Sequence, residues 1–268
     1  INGGEINTKN NEIVIRADNF EYNKLTTLLK AKGNVRLIDK IADIIIETNE
    51  IVYLKNKEEI YTKGKSKALK GKHLQIDAIQ YFKYNKITSL LEAKGNVVLN
   101  EKNKNITIYT NEILYLMNEE KISSLGKTNI NVEDKYNIEG NNLILLKDKM
   151  VLFSKKKAII TDIVSNTYKL EKFQYSIDKE ILKGENITAI IKDKKNKSDE
   201  FFFKTGFFDL KKNKFLGKDI VAKFHKNLFG NSENDPRISA VSGYGDDTNI
   251  YFKKGVFTSC KKTDKCPP

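Results

Sequence analysis

Ala31-Lys32-Gly33-Asn34-Val35 and Ala93-Lys94-Gly95-Asn96-Val97 are the same five residues written twice, on a ladder of glycines at Gly33, Gly64, Gly95 and Gly126. The step is 31 residues each time, and a fixed period of this size is an architectural signal. Upstream of each glycine stands an Asp or Asn, with an apolar residue two positions later and a tyrosine four positions later. The copies are Asp18-Asn19-Phe20-Glu21-Tyr22, Asn49-Glu50-Ile51-Val52-Tyr53, Asp77-Ala78-Ile79-Gln80-Tyr81 and Asn111-Glu112-Ile113-Leu114-Tyr115. The offset to the glycine is 15 residues in three copies and 18 in the one starting at Asp77. Residues two apart share one face of a strand. Phe20 with Tyr22, Ile51 with Tyr53, Ile79 with Tyr81 and Ile113 with Tyr115 are therefore expected on one side of a sheet, and each repeat reads as one β-hairpin.

The rest of the chain has the same grain. Ile13-Val14-Ile15-Arg16-Ala17, Ile44-Ile45-Ile46-Glu47-Thr48 and Ile106-Thr107-Ile108-Tyr109 are β-branched or aromatic, and polar clusters such as Lys55-Asn56-Lys57 and Asn118-Glu119-Glu120 interrupt them every dozen or so residues. No segment shows a capped helical period over ten or more residues. Beyond Gly126 the period loosens, although Gly140-Asn141-Asn142-Leu143-Ile144-Leu145 keeps the pattern without its tyrosine. The expected class is all-β.

Length and composition set the outer limits. A chain of 268 residues with 39% hydrophobic content has room for one large β domain or two ordinary ones, and the repeat favours one. The net charge of +13 by itself points to nucleic acid or an anionic membrane surface. That inference is weakened because nearly all the cations are lysines, with Arg16, Arg36 and Arg237 the only arginines, in an Asn- and Ile-rich background. Such a mixture arises in an AT-rich genome without selection for binding. No run approaches the ~18 apolar residues of a spanning helix. The chain starts at Ile1 and stops on Pro267-Pro268, which reads as a piece of something longer.

Catalytic and cofactor signals are scarce. There is no phosphate-binding glycine loop, no His-Glu-x-x-His and no nucleophile elbow, so neither an enzyme nor a cofactor is expected. Gly243-Tyr244-Gly245-Asp246-Asp247 reads as a turn with solvated acids. The two cysteines, Cys260 and Cys266, stand six positions apart, with His73 and His225 remote in sequence. A metal site has weak support, and a local disulfide is the simple alternative.

Hairpin arrays close in several ways. Thirty-one residues is too short for a propeller blade of about 40 to 45 residues and long for a β-helix coil, leaving a sheet of hairpins bent into a V. Its inward face carries the repeated apolar and tyrosine pairs, joined by Ile13, Ile15, Leu143 and Leu145. Such an interior is either a dry sandwich core or an apolar trough for a lipid.

The repeated Asp-x-apolar-x-Tyr followed by Ala-Lys-Gly-Asn-Val resembles the OstA-type repeat of the periplasmic proteins of lipopolysaccharide transport, clearly over about residues 11 to 150. The tail Phe257-Thr258-Ser259-Cys260, followed by Cys266-Pro267-Pro268, resembles the Phe-Thr-Ser-Cys segment of the LptD family, which lies shortly before that family's outer-membrane barrel. The resemblance implies an open, V-shaped β-jelly roll at 11–255, preceded by a tail at 1–10 and followed by a cysteine-containing hinge at 256–268 leading to a barrel. It implies a groove for lipopolysaccharide acyl chains lined by Ile13, Ile15, Phe20, Tyr22, Ile51, Tyr53, Ile79, Tyr81, Ile113, Tyr115, Leu143 and Leu145. It also implies docking of the bridge protein LptA by strand addition at the first strand, about Glu12 to Tyr22, and association with the lipoprotein LptE. The family's cysteine matching Cys260 bridges to the barrel, and Cys266 departs from that pattern. The location implied is the periplasmic face of the outer membrane. The competing expectations are a free-standing bridge protein and a basic β-repeat module that binds nucleic acid or polysaccharide.

Overall fold

A computed structural model of the chain describes residues 3–8, 10–192, 197–246 and 248–261. They form antiparallel strands with three 3-10 turns and, among the described residues, no α-helix. The all-β, antiparallel expectation therefore holds. The chain divides into two compact units, Ile1–Glu133 with Asn141–Asp148, and Asp134–Gly140 with Lys149–Pro268.

The first unit contains β1 (Gly4–Asn7), β2 (Ile13–Ala17), β3 (Asn19–Asn23), β4 (Leu28–Asp39), β5 (Ile44–Leu54), β6 (Glu59–Thr62), β7 (Ser66–Lys70), β8 (Leu74–Ala78), β9 (Tyr81–Asn85), β10 (Leu90–Glu101), β11 (Ile106–Leu116) and β12 (Lys121–Val132). Three pairs, β2 with β3, β6 with β7 and β8 with β9, are each one line of chain broken near its middle. Every line pairs antiparallel with the next along the sequence: β2 and β3 on β4, β4 on β5, β5 on β6 and β7, these on β9 and β8, and so on through β10 and β11 to β12. Each 31-residue repeat is therefore one hairpin. The segment expected as a tail contributes β1, which lies on β2.

The glycine ladder marks where the lines bend. Gly33 and Asn34 in β4, and Gly95 and Asn96 in β10, have positive φ, and the register with the next strand shifts at both places. These are bulges, which bend a strand and increase its twist. Opposite Gly33 lies Asp18, in the break between β2 and β3, whose N–H donates to Gly33 O at 3.0 Å. A Cβ at Gly33 would collide with the Asp18 side chain, and one at Gly95 with Gln80. The polar residue and the glycine are thus 15 apart because they face each other across a hairpin at its bend.

This placement corrects the copy read from Asp77. Its polar residue is Gln80, 15 before Gly95, and the pair that follows is Phe82 and Tyr84, both fully buried. Ile79 is 52% exposed, while Tyr81 is half-buried and donates its hydroxyl to Glu92 at 2.6 Å. A three-residue slip is odd, so on a period of two it puts the wrong face inward. With the slip removed the offset is uniform.

Buried hydroxyls line the Gly64 and Gly126 bends. Ser66 donates to Thr62 at 2.7 Å, and the Thr62 hydroxyl accepts the N–H of Phe82, also at 2.7 Å. Sixty-two residues on, Thr128 donates to Ser124 at 2.7 Å, and the Ser124 hydroxyl accepts the N–H of Leu143 at 2.9 Å. An interrupted ladder leaves backbone donors without a strand partner, and these hydroxyls replace it.

β13 (Tyr136–Asn141) falls mostly in the second unit, and β14 (Ile144–Leu146) lies on β12 in the first. The second unit continues with β15 (Val151–Ser154), β16 (Ala158–Asp162), β17 (Thr167–Leu170), β18 (Lys172–Ser176), β19 (Ile181–Lys192), β20 (Ser198–Asp209), β21 (Lys214–Lys223), β22 (Arg237–Gly245) and β23 (Ile250–Thr258). The meander has the same form, from β13 on β16 and β15 on β18 to β22 on β23. Here the glycines stand abreast rather than at a fixed period: Gly184 faces Gly206, Gly206 faces Gly217, and Gly217 faces Gly243. A Cβ on these would meet Leu170, Phe208, Phe203 and Ile220 in turn. The row lets side chains from adjacent strand halves cross the bend.

Val256, Phe257 and Thr258 complete β23, so the expected hinge begins as strand, and its remainder from 262 lies outside the described residues. The structure's strands also fit a closed eight-stranded barrel, against the open jelly roll that the resemblance implies.

Candidate functional site: an apolar pocket in the second unit

The expected groove residues divide sharply. Ile13, Ile15, Ile51, Tyr53, Ile113, Tyr115, Leu143 and Leu145 come together in the interior of the first unit, each at most 3% exposed. Phe20 is only partly buried, with its ring against Gly4, and Tyr22 is 49% exposed. Tyr53 donates to Glu58 at 2.7 Å and Tyr115 to Glu120 at 2.8 Å. Both acids are positive-φ residues closing 3-10 turns, and they recur 62 residues apart. Burial first, and then the neighbouring carboxylate, pushes both phenols well above the ordinary tyrosine range. A ligand reaches these side chains only if the unit opens.

An accessible apolar space lies instead in the second unit. A cavity of about 540 Å³, within the size range of small-ligand sites, is walled by Tyr168, Ala189, Phe201, Phe203, Phe208 and Phe215. Alternation along β20 sends Phe201 and Phe203 inward and Phe202 outward. Phe203 meets Phe208 at 5.3 Å between ring centroids, nearly perpendicular, and Phe215 at 5.5 Å. Tyr168 meets Phe208 edge-on at 5.7 Å. These are favoured aromatic geometries, so the wall is rigid as well as apolar.

The mouth is mixed. Ile163 and Val164, in the turn between β16 and β17, are 73% and 65% exposed at its edge. Asp162 holds that turn by accepting the N–H groups of Val164 at 3.0 Å and Asn166 at 2.8 Å. Asp199 accepts the backbone N–H of His225 and contacts its ring Nδ1, both at 2.9 Å. Asp246 accepts from Thr248 and Asn249, and those N–H groups lower its pKa. Lys135 pairs with Glu180 at 2.9 Å, and Glu180 also accepts from Tyr136 at 3.2 Å, whose phenol is raised chiefly by burial. The mouth acids are therefore largely committed to local turns, while the walls offer hydrocarbon contact.

This pocket was visible in the sequence only as a concentration of phenylalanine. Six of the chain's 14 fall between Phe201 and Phe215. Their spacing does not follow the 31-residue ladder, so the ladder drew the reading to the first unit.

At the tail, Arg237 is buried and donates to the carbonyl oxygens of Asp235 at 3.0 Å and Cys260 at 2.9 Å, fixing the approach to the cysteine. Cys260 is disulfide-bonded. Cys266 lies outside the described residues. Neither a protein-family model nor a curated protein matches this chain.

Proposed function

We propose that the chain handles lipid, as the periplasmic part of an LptD-like lipopolysaccharide-assembly protein that receives acyl chains and passes them onward. The observation that carries this reading is the phenylalanine-walled pocket with its exposed Ile163 and Val164 mouth. Burying an acyl chain is worth ~0.8 kcal/mol per methylene. A wall of near-equivalent rings supplies this contact without a polar group that would fix one ligand in place. In this reading the roll is open, and the bend glycines mark where each hairpin turns from one half to the other.

In this reading LptA adds a strand at the N-terminal edge. The edge expected at Glu12 to Tyr22 is displaced, because β1 covers β2, and β1 and β3 are the strands available. The barrel of the same chain and LptE complete the assembly at the outer membrane. Titration with lipopolysaccharide carrying a fluorescent acyl chain tests the proposal. Saturable binding is expected, lost in Phe203→Asp and retained in Tyr53→Phe. Binding unchanged by Phe203→Asp in a folded protein removes the pocket as the lipid site.

A further inference from the structure

The opposite face of the same strands carries a second apolar feature. Phe207 stands directly across from Leu216, Leu216 from Tyr244, and Tyr244 from Tyr251, one residue on each of β20 to β23. All four are on the exposed side, with Leu216, Tyr244 and Tyr251 more than half exposed. Adjacent strands lie about 4.8 Å apart, so the stripe runs roughly 14 Å. The two tyrosine rings stack on each other at 5.1 Å and 20°, so each has one face against the other. They suit a medium that takes up apolar ring bodies and hydrates their hydroxyls, as the membrane interface does.

The charges around the stripe indicate which surface. Lys183 faces Phe207 on β19 and sits 5.6 Å from its ring centroid. Two residues along the strands, on the same face, Lys218 and Lys253 stand either side of Ser242. Glu185 on β19, the acid in that same row, is already paired with Lys172 at 2.9 Å. Lys218 and Lys253 are both exposed. We propose that this face of β20 to β23 docks on an anionic bilayer surface, with the four side chains at headgroup depth and Lys218 and Lys253 on lipid phosphates. The inference rests on the stripe and its lysines, and uses the pocket reading only for the reason to be there. Phe215 and Leu216, adjacent on β21, give one side chain to each feature.

Co-sedimentation of the whole chain with phosphatidylglycerol vesicles and with phosphatidylcholine vesicles tests it. Binding is expected to the first, weakening as salt rises, and little to the second. Lys218→Gln and Lys253→Gln should each reduce it about fivefold, and Leu216→Ser with Tyr244→Ser should abolish it. Those four substitutions should leave binding of the acyl-labelled lipopolysaccharide at the pocket intact, whereas Phe203→Asp should lose the pocket and keep the vesicles. Equal sedimentation with both vesicle types, or indifference to all the stripe and lysine variants, overturns the proposal. So does a dimer in sedimentation velocity that the stripe variants dissolve, since the face would then be covered by a second copy.

Discussion

The Tyr84 hydroxyl donates to Asp39 Oδ2 at 2.9 Å across 45 residues of sequence, and both side chains are 1% exposed. The other carboxylate oxygen of Asp39 accepts the N–H groups of Ile41 at 3.1 Å and Ala42 at 3.0 Å, so one buried acid ties the β4–β5 turn to β9. Removing the phenol leaves a buried acceptor short of a donor, and removing the acid leaves a phenol and two backbone donors short. Tyr84→Phe should cost about 1–3 kcal/mol and Asp39→Ala more. Urea unfolding with an unchanged m-value measures both. Asp39→Ala no worse than Tyr84→Phe would contradict the shared role.

Glu101 occupies the position 62 residues after Asp39, but the residue that faces Ile122 there, as Tyr84 faces Ile60, is Leu145, which has no hydroxyl to donate. It is 1% exposed, its Oε2 accepts the Lys104 N–H at 2.9 Å, and its Oε1 has no hydrogen-bond partner among the described residues. Glu101→Gln keeps the useful oxygen and removes an under-solvated charge. Its stability should lie within about 1 kcal/mol of the parent or above it. A loss as large as that of Asp39→Ala would show that Glu101 has a partner equivalent to Tyr84.

Gly95 and Gly126 separate two costs of a side chain at a bend. Both have positive φ, +89° and +81°, but a Cβ at Gly95 runs into Gln80 whereas one at Gly126 meets nothing within 4 Å. Gly126→Ala should cost about 1–2 kcal/mol, from backbone strain alone. Gly95→Ala should cost measurably more in the same denaturation assay. Equal costs would mean that Gln80 moves aside freely.

Alkali should unfold the first unit through its buried phenols. Tyr53, Tyr84 and Tyr115 have pKa values raised mainly by burial, so the folded chain keeps protons that the unfolded chain gives up above about pH 10. Their contribution is complete below that pH and disappears as the pH climbs. Tyr81, held by Glu92, is pushed up to about 12. In a spectrophotometric titration, phenolate absorbance from the buried tyrosines should rise together with loss of the β-sheet circular dichroism signal. The exposed Tyr22, Tyr109, Tyr244 and Tyr251 should ionise without unfolding, whereas ionisation of every tyrosine in a protein that stays folded would contradict the burial of Tyr53, Tyr84 and Tyr115.

The hairpin, its length and the bend glycine of the first unit are legible because they recur at one spacing. Asp18 and Gly33 state both ends of a contact in the sequence itself. The slip at Asp77 arose because Asp77 resembles Asp18 more than Gln80 does, and chemical likeness outweighed the count to Gly95. The hydroxyl pairs at Thr62 with Ser66 and Ser124 with Thr128 leave no repeated letter in the sequence, because Ser and Thr exchange places between copies. In the second unit the glycines align only through register, which depends on turn lengths such as that from Phe224 to Pro236. No one-dimensional spacing records them, and Phe203 and Phe208 become pocket walls only after the bend brings them together.

The meander has a mechanical consequence. Because each line of chain is bonded chiefly to the one before and the one after it, a pull on the first unit should peel it hairpin by hairpin. Each 31-residue repeat releases roughly 100 Å of contour length. The Tyr84 bond to Asp39 joins lines that are not sequence neighbours. Force-extension traces should therefore be regular, with one unequal rupture where β9 separates from the β4–β5 turn.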